Sequence, residues 1–386
     1  MKVHGRFNVL KIDDAAGVLQ DVSAKLTKAN YTHDTDADNT ATFGDSADEH
    51  EVPGIESFSL SLEGFVEEDA AGKFHGRSLK IFHGGYDVSA YFDTAAIGRQ
   101  VPLDTTKTFG GDWQRREVPG NHSGSLSLGG FHDAAPAGSY ELLRQAVSAA
   151  SGTPMTLGPR GSAVGKLVEM LKARYTKHDI PTDTASSTKT SAEAKADGGY
   201  ALGRCLHDAT PETASGNAAS VDETAATSQG GIGHLHVLAW SGSFTGITVK
   251  IQHSVDNSVW VDLITFAAAS AIGSERLEVA GTVNRYVRAL WTFAGAGPGS
   301  ATIVVAFARK GFTYGAAGTY RHWVGLLQHA NTQTFEGGPD GATAGKPKIT
   351  GELRMASLTM NVSAAETVKF SAELMNDDTI NFGATF

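Results

Sequence analysis

Two stretches of the chain alternate strictly between apolar and small polar residues. In SFSLSLEGF, residues 57–65, Phe58, Leu60 and Leu62 occupy every second position with Ser57, Ser59 and Ser61 around them. In SGSLSLGGF, residues 123–131, Leu126 and Leu128 alternate with Ser123, Ser125 and Ser127. Period two is that of a β-strand, whose successive side chains point to opposite faces. Each stretch therefore predicts a strand with one apolar face and one small, uncharged polar face. These strands close two related blocks of 45 residues, 21–65 and 87–131, which are identical at 21 positions. The identities cluster in DVSA, T-x-TFG, EVPG and S-x-SLSL-x-GF. The openings DVSAKLTKANYTH and DVSAYFDTAAIGR are long enough for a partner strand, and Pro53-Gly54 and Pro119-Gly120 are turn dipeptides. Each repeat thus predicts a long hairpin with an extended loop at its tip. A duplicated unit points to assembly or repeated binding before catalysis.

A fainter echo follows. GPRGSAVGK (158–166) and GPDGATAGK (338–346) share G-P-x-G-x-x-x-G-K. Each has a candidate helix upstream, SYELLRQAVSAA or RHWVGLLQHA, and a candidate strand downstream, KLVEMLKARYTKHDI or PKITGELRMASLTMNV. The two echoes predict a nested layout: residues 71–205 form one unit, with a helix at 138–150, and residues 1–70 form half of a second unit completed by 310–386. Residues 206–309 fit neither. Their period-two stretches, Ile247, Val249 and Ile251, then Val287, Ala289 and Trp291, then Ile303, Val305 and Phe307, predict an inserted β-sandwich. The polar ATPETASGNAASVDETAATSQGG before it reads as a flexible linker or an exposed edge.

Composition narrows the function. The formal charge of -10, from 32 Lys plus Arg against 42 Asp plus Glu, argues against tight wrapping of nucleic acid, which depends on cations neutralising phosphates. An acidic wall still lets nucleic acid pass without sticking. Cys205 is the only cysteine, so no intrachain disulfide forms, and it reads as a small buried residue. No apolar run approaches a membrane span, and the N-terminus lacks a signal-peptide core.

Candidate chemistry fails on spacing. The two G-x-x-x-G-K segments have three residues between the glycines, and Leu167 or Pro347 after the lysine, so they read as turns and not as phosphate loops. His234 and His236 share one strand face without a Cys, Asp or Glu in that strand to complete a metal site, and read as part of a half-exposed strand. His50 has no counterpart at the matching place in the second repeat. Glu373, Asp377 and Asp378 read as turn residues, and no G-x-S-x-G elbow occurs. The chain therefore predicts no enzyme, no cofactor, and no catalytic or metal site. Phe43 and Phe109, at the same place in both loops, read as either plugs of their own hairpins or anchors in a neighbouring subunit, beside Trp113.

The order DVSAYFDTAAIGRQVPLDTTKTFGGDW, then the GSLSLGGF strand and a short helix, resembles the tail tube proteins of long-tailed, siphophage-type bacteriophages. Asp104, Thr105, Thr106, Thr108, Phe109, Gly110, Asp112 and Trp113 carry the match in the second repeat. Asp38, Thr40, Thr42, Phe43 and Gly44 carry it in the first, where Ala47 replaces the tryptophan. The resemblance implies an all-β fold with minor α: nested tube β-sandwiches whose inner sheets join between copies into a ring barrel, plus the inserted, jelly-roll-like sandwich as decoration. It implies a structural virion protein whose stacked rings conduct DNA into the host. Its site residues would be inter-subunit loop positions, Thr42, Phe43, Gly44, Pro53, Gly54, Asp104, Thr108, Phe109, Gly110, Trp113, Pro119 and Gly120. Its partners would be other copies, as a trimeric pseudo-hexamer ahead of a homohexamer, together with tape measure, tail terminator and distal tail proteins. Genome DNA would pass without specific binding. Assembly would take place in the host cytoplasm and the product would reside in the virion tail. The competing reading is a virion adhesin or minor tail protein that binds host-surface glycans through residues 206–309.

Overall fold

The alternating stretches form strands with the faces they predict. The computed structural model describes residues 8–14, 17–39, 51–68, 72–106, 116–119, 122–310, 316–328, 332–377 and 380–386. The longer elements run β1 (Val9–Asp13), β2 (Leu26–Asn39), β3 (Glu51–Phe65), β4 (Lys80–His83), β5 (Phe92–Gln100), β6 (Ser123–Phe131), α1 (Ser139–Val147), β7 (Thr153–Gly158), β8 (Leu167–Asp179) and β9 (Lys189–Glu212). They continue as β10 (Gly231–Gly242), β11 (Gly246–Ser254), β12 (Val261–Thr265), β13 (Gly273–Val279), β14 (Tyr286–Ala294), β15 (Gly299–Arg309), α2 (Tyr320–Gln328), β16 (Gln333–Gly338), β17 (Pro347–Ser363), β18 (Lys369–Asn376) and β19 (Asn381–Thr385). Among the described residues the fold is all-β with two short α-helices, and the sheets do not close into a barrel within one chain.

Eight strands lie side by side, all antiparallel, in the order β2-β3-β18-β17-β5-β6-β9-β8. That order is one four-strand pattern used twice. Ala29 opposite Leu62, Leu62 opposite Ala372 and Ser357 opposite Glu373 correspond to Ala95 opposite Leu128, Leu128 opposite Ala192 and Lys177 opposite Glu193. A shift of 66 residues carries β2 and β3 onto β5 and β6, as Ala29 onto Ala95. A shift of 180 carries β16, β17 and β18 back onto β7, β8 and the first part of β9, as Leu353 onto Ala173. The ladder slips at matching places, between Met355 and Ser357 and between Tyr175 and Lys177. Strand β1 adds to β16 as β4 adds to β7. Strands of the first 70 residues therefore pair with strands beyond residue 310. The shared G-P-x-G segments are turns: Gly161 and Gly341 sit at φ +90, Gly165 and Gly345 at +85 and +84, a left-handed region that favours glycine.

Phe58, Leu60, Leu62, Leu126, Leu128, Met360, Phe370 and Leu374 bury their side chains in one core with Leu143, Trp323, Leu10 and Ile81. Each such burial is worth about 1.5–3 kcal/mol, and a one-residue slip would turn a whole strand's set to solvent, so the register is strongly specified. The DVSA blocks depart from expectation. They fold as short 3-10 turns at Ser23–Lys25 and Ser89–Tyr91, and the partner strands begin afterwards, at Leu26 and Phe92.

Strand β9 continues past residue 205 and pairs with β15 as far as Glu212, followed in that sheet by β10 and β13. The facing sheet holds β12, β11 and β14, with short strands Gly216–Asn217 and Val221–Asp222 on β14. The polar stretch at 209–231 thus contributes short edge pairings at 209–212, 216–217 and 221–222, joined by irregular segments. Ile247, Val249, Ile251, Val287, Ala289 and Trp291 fill the sandwich core. The expectation of one apolar face fails for β15. Ile303, Val305 and Phe307 face the sandwich core, while Val304, Ala306 and Ala308 pack with Phe82, Val168 and Met170, so both faces are buried.

Candidate assembly surface

The constant blocks of the repeat make the same contacts twice. Asp21 and Asp87 accept from the N–H of Ser23 and Ser89 at 2.9 and 3.0 Å. Those serines accept with Oγ from the N–H of Leu10 and Ile81, each at 2.8 Å. Val22 and Val88 donate their N–H to the carbonyls of Leu10 and Ile81, each at 2.9 Å. The glycine of the final GF is also fixed by contact. A Cβ added at Gly64 would lie 2.5 Å from the Lys25 carbonyl oxygen, and at Gly130 2.0 Å from that of Tyr91, so only glycine lets the turn backbone pass.

The two halves of the sheet meet where β17 pairs with β5, from Ser357 opposite Gln100 to Ser363 opposite Thr94. On the face away from the core this seam presents Ser357, Thr359, Asn361 and Ser363 beside Thr94, Ala96, Gly98 and Gln100, then Ser123, Ser125 and Ser127 of β6. None is charged. Such a face offers neither cations to hold phosphate nor apolar area to hold a hydrophobic partner.

Behind the seam, on the core side, lies a buried ion pair: Arg99 of β5 reaches Glu169 of β8 at 2.5 Å. The guanidinium lies 4.1 Å from the ring centre of Tyr200 on β9. Burial alone would lower the Arg99 guanidinium, yet Glu169, Tyr200 and Tyr320 of α2 together hold it above its ordinary value. Burial, and next Glu169, push the Tyr200 and Tyr320 hydroxyls well above theirs. Through Tyr320, α2 of one half is tied to the strands of the other.

The two helices occupy equivalent places and differ in cover. Tyr320 is 3% exposed and Leu327 4%, whereas their counterparts Tyr140 and Val147 are 37% and 39% exposed. Tyr140 lies against His132 and His178, with ring centres 5.3 and 6.1 Å apart. Sequence reasoning missed this whole cluster. One available signal was Arg99, a charge at the core-facing parity of Ala95 and Ile97.

Of the positions assigned to inter-subunit loops, Asp104 is exposed on a short strand, Leu103–Thr106, that pairs with Arg116–Pro119. Pro53 and Gly54 lie within β3 and Pro119 ends its strand opposite Leu103, so the expected turns are strand. Proline fits there because the β2–β3 ladder is irregular between Thr35 and Ala37, next to Pro53. Thr42, Phe43, Gly44, Thr108, Phe109, Gly110, Trp113 and Gly120 lie outside the described residues, as does His50.

His234 and His236, expected on a half-exposed strand, are fully buried, because their face of β10 packs on β4 and β7. Thr156 Oγ1 of β7 stands 3.1 Å from His234 Nδ1 and 2.9 Å from His236 Nε2. Burial lowers the pKa of His83 to about 4 and of His236 to about 3, and that of His234 well below its ordinary value. All three are neutral near pH 7; His234 and His236 join the sandwich to β7, while the His83 ring lies 5.4 Å from that of Tyr175 on β8. Glu373 lies on β18 and so does not occupy a turn, whereas Asp377 sits in the bend just past that strand and pairs with Arg354 at 2.5 Å; Asp378 lies outside the described residues. Among the described residues no group of three or more His, Cys, Asp or Glu could hold a metal ion, and no helix is long and apolar enough to cross a membrane.

No protein-family model and no curated protein matches the chain. Solved structures with partial likeness include a chain of the virion of a native gene transfer agent particle, at 13% identity over 33% of this chain and 98% of that one, with a TM-score of 0.28. Another is the Dit (gp 19.1) protein of SPP1, described as a hub adsorption apparatus of phages infecting Gram-positive bacteria. It matches at 11% identity over 60% of this chain and 99% of that one, with a TM-score of 0.26. A third is from infectious bursal disease virus, Gx strain, at 11% identity over 94% and 85% of the two chains, with a TM-score of 0.18.

Proposed function

We propose that the protein is a structural virion subunit that polymerises into stacked rings, forming a phage tail tube through which the genome passes. The observation that carries this reading is the internal repetition of the sheet. Two equivalent four-strand halves join edge to edge, and the strands at the join present an uncharged polar surface on one side and the core on the other. A sheet that already continues once through its own repeat, and among the described residues still ends in open edges, is built to continue again. Residues 1–70 with 310–386 form one tube unit, 71–205 the second, and 206–309 an outward decoration. Three chains then present six units around the ring axis, and this trimer is favoured over a homohexamer. The hairpin loops, including Phe43 and Phe109, bridge successive rings.

Electron microscopy of the concentrated protein tests the reading: tubes or stacked rings are the expected result, and persistent monomers would overturn it. Deleting residues 104–117, or Phe109→Ala, should leave folded rings that no longer stack. A second reading, binding of host-surface glycans by the sandwich, is favoured by one feature. Val255, Val259 and Val261 are 72%, 69% and 55% exposed around Trp260, a ready apolar platform. Glycan-array binding by a protein that remains monomeric would favour that reading.

A further inference from the structure

We propose that the free edge of β8 in one copy pairs with the free edge of β2 in the next, in the register of the internal β17–β5 seam. The inference rests on the ring reading above and adds the edges, the register and the charged pairs. Strand β17 is paired in two parts: Ile349–Leu353 with β16, then Ser357–Ser363 with β5. Strand β8 repeats only the first part, pairing Glu169–Ala173 with β7. Among the described residues, Arg174–Asp179 has β9 on one side and no strand on the other, and β2 pairs with β3 alone. These two open edges are the counterparts of the two edges that meet inside the chain.

The shifts of 66 and 180 residues transfer the internal register without adjustment. Ser357 opposite Gln100 becomes Lys177 opposite Asp34, and Thr359 opposite Gly98 becomes Asp179 opposite Thr32. Met360 opposite Ile97 becomes Ile180 opposite Tyr31, an apolar pair again on the core side. Ser363 opposite Thr94 becomes Asp183 opposite Lys28. Nothing in the transfer selects charge, yet two of the resulting pairs are Lys with Asp, in opposite senses, where the internal seam has none. All four of those residues are exposed in the single chain. A two-residue slip, the smallest that keeps the faces, would in one direction set Asp179 opposite Asp34 and Lys28 opposite Ala185, keeping one lysine–acid pair, Lys177 with Asp36, and in the other leave both lysines without acids opposite.

Pro181 fits the same register. In the internal seam Val101 N–H donates to Ala356 and Ala364 N–H to Asp93, so odd positions of β5 lie in hydrogen-bonded pairs and even positions between them. Pro181 takes the place of Asn361, opposite an even position, where a backbone nitrogen points away from the seam; its carbonyl accepts from Lys189 N–H on that far side at 3.3 Å. Residues 180–183 are not strand in the single chain, while their counterparts 360–363 are, and pairing would extend β8 through them. The exposed Tyr140 and Val147 on α1 are the surface such a neighbour would cover, as Tyr320 and Leu327 are covered within the chain.

The test is charge reversal with rescue. Lys177→Asp should raise the concentration needed for ring formation by roughly threefold to tenfold, as should Asp34→Lys, and the two together should restore it. A second variant reports register without relying on charge. Asp34→Cys with Lys177→Cys should give disulfide-linked copies on mild oxidation, since non-hydrogen-bonded pairs bring Cα atoms to about 4.5 Å, within disulfide reach. Asn30→Cys with Lys177→Cys should not, and buried Cys205 does not compete. Normal rings from all charge variants, with linkage absent at 34/177, would overturn the register while leaving the ring reading standing. A wild-type protein that stays monomeric under electron microscopy and sedimentation would overturn both.

Discussion

Helices α1 and α2 sit at equivalent points of two equivalent units, and one is covered while the other is bare. Tyr320 and Leu327 are shielded within the chain; Tyr140 and Val147, 180 positions earlier, stand more than a third exposed. The same asymmetry runs through the sheet, where among the described residues the second part of β17 has a strand on each side, β18 and β5, and that of β8 has β9 alone. A repeat inside one chain satisfies one seam and necessarily leaves one half-seam at each end. What the covered seam contains is therefore a guide to what the open ones lack.

Removing the core of the covered seam should have the largest effect. Glu169→Ala leaves the Arg99 guanidinium buried without its acid and should cost about 3–5 kcal/mol in chemical denaturation. Replacing Glu169 and Arg99 together by apolar residues of similar volume should cost far less. Next comes the paired helix test. Tyr320→Ala should destabilise the single chain by about 3 kcal/mol, by analogy with other buried aromatic truncations, while Tyr140→Ala should change it by less than about 1 kcal/mol and act on assembly instead. Equal destabilisation by both would break the comparison.

Acid should separate internal contacts from open edges. His83 titrates near pH 4 and His236 near 3 in the folded chain, below their unfolded value of about 6.5, so the unfolded state binds more protons in that window. Stability is full above about pH 6.5 and declines as pH falls toward 4, by up to about 1.4 kcal/mol per pH unit for each histidine. His236→Asn or His83→Asn should flatten that slope in thermal melts followed across pH. The smallest effect on the single chain belongs to Lys177→Ala, whose exposed ammonium pairs with half-buried Asp179 at 2.5 Å, opposite Glu193. Its melting temperature should not move, while ring formation should require more protein.

The strands of the repeat were legible because alternation is a backbone periodicity, and Phe58, Leu60, Leu126 and Leu128 all face the core as predicted. The DVSA blocks were misread as strand because their constancy comes from a turn in which serine and aspartate satisfy backbone N–H groups. Pro53 and Pro119 look like turn residues by composition, and only the ladder around them makes them strand. His234 and His236 looked half-exposed because nothing local announces that β4 and β7 cover that side of β10. Arg99 and Glu169 are 70 residues apart and meet only through the long-range pairing of the sheet. Local pattern determines faces; which faces meet is a property of the whole topology.

Amide hydrogen exchange on rings against dilute single chains is the most direct test of the equivalence of the two seams. The hydrogen-bonding parity predicts that amides of Tyr31 and His33 on β2, and of His178 and Ile180 at the end of β8, exchange freely in the single chain and become protected in the ring. Those of Ala95 and Ile97, in the internal seam, should be protected in both. Rings in which the 27–35 and 174–183 amides exchange as fast as in the single chain would contradict the account.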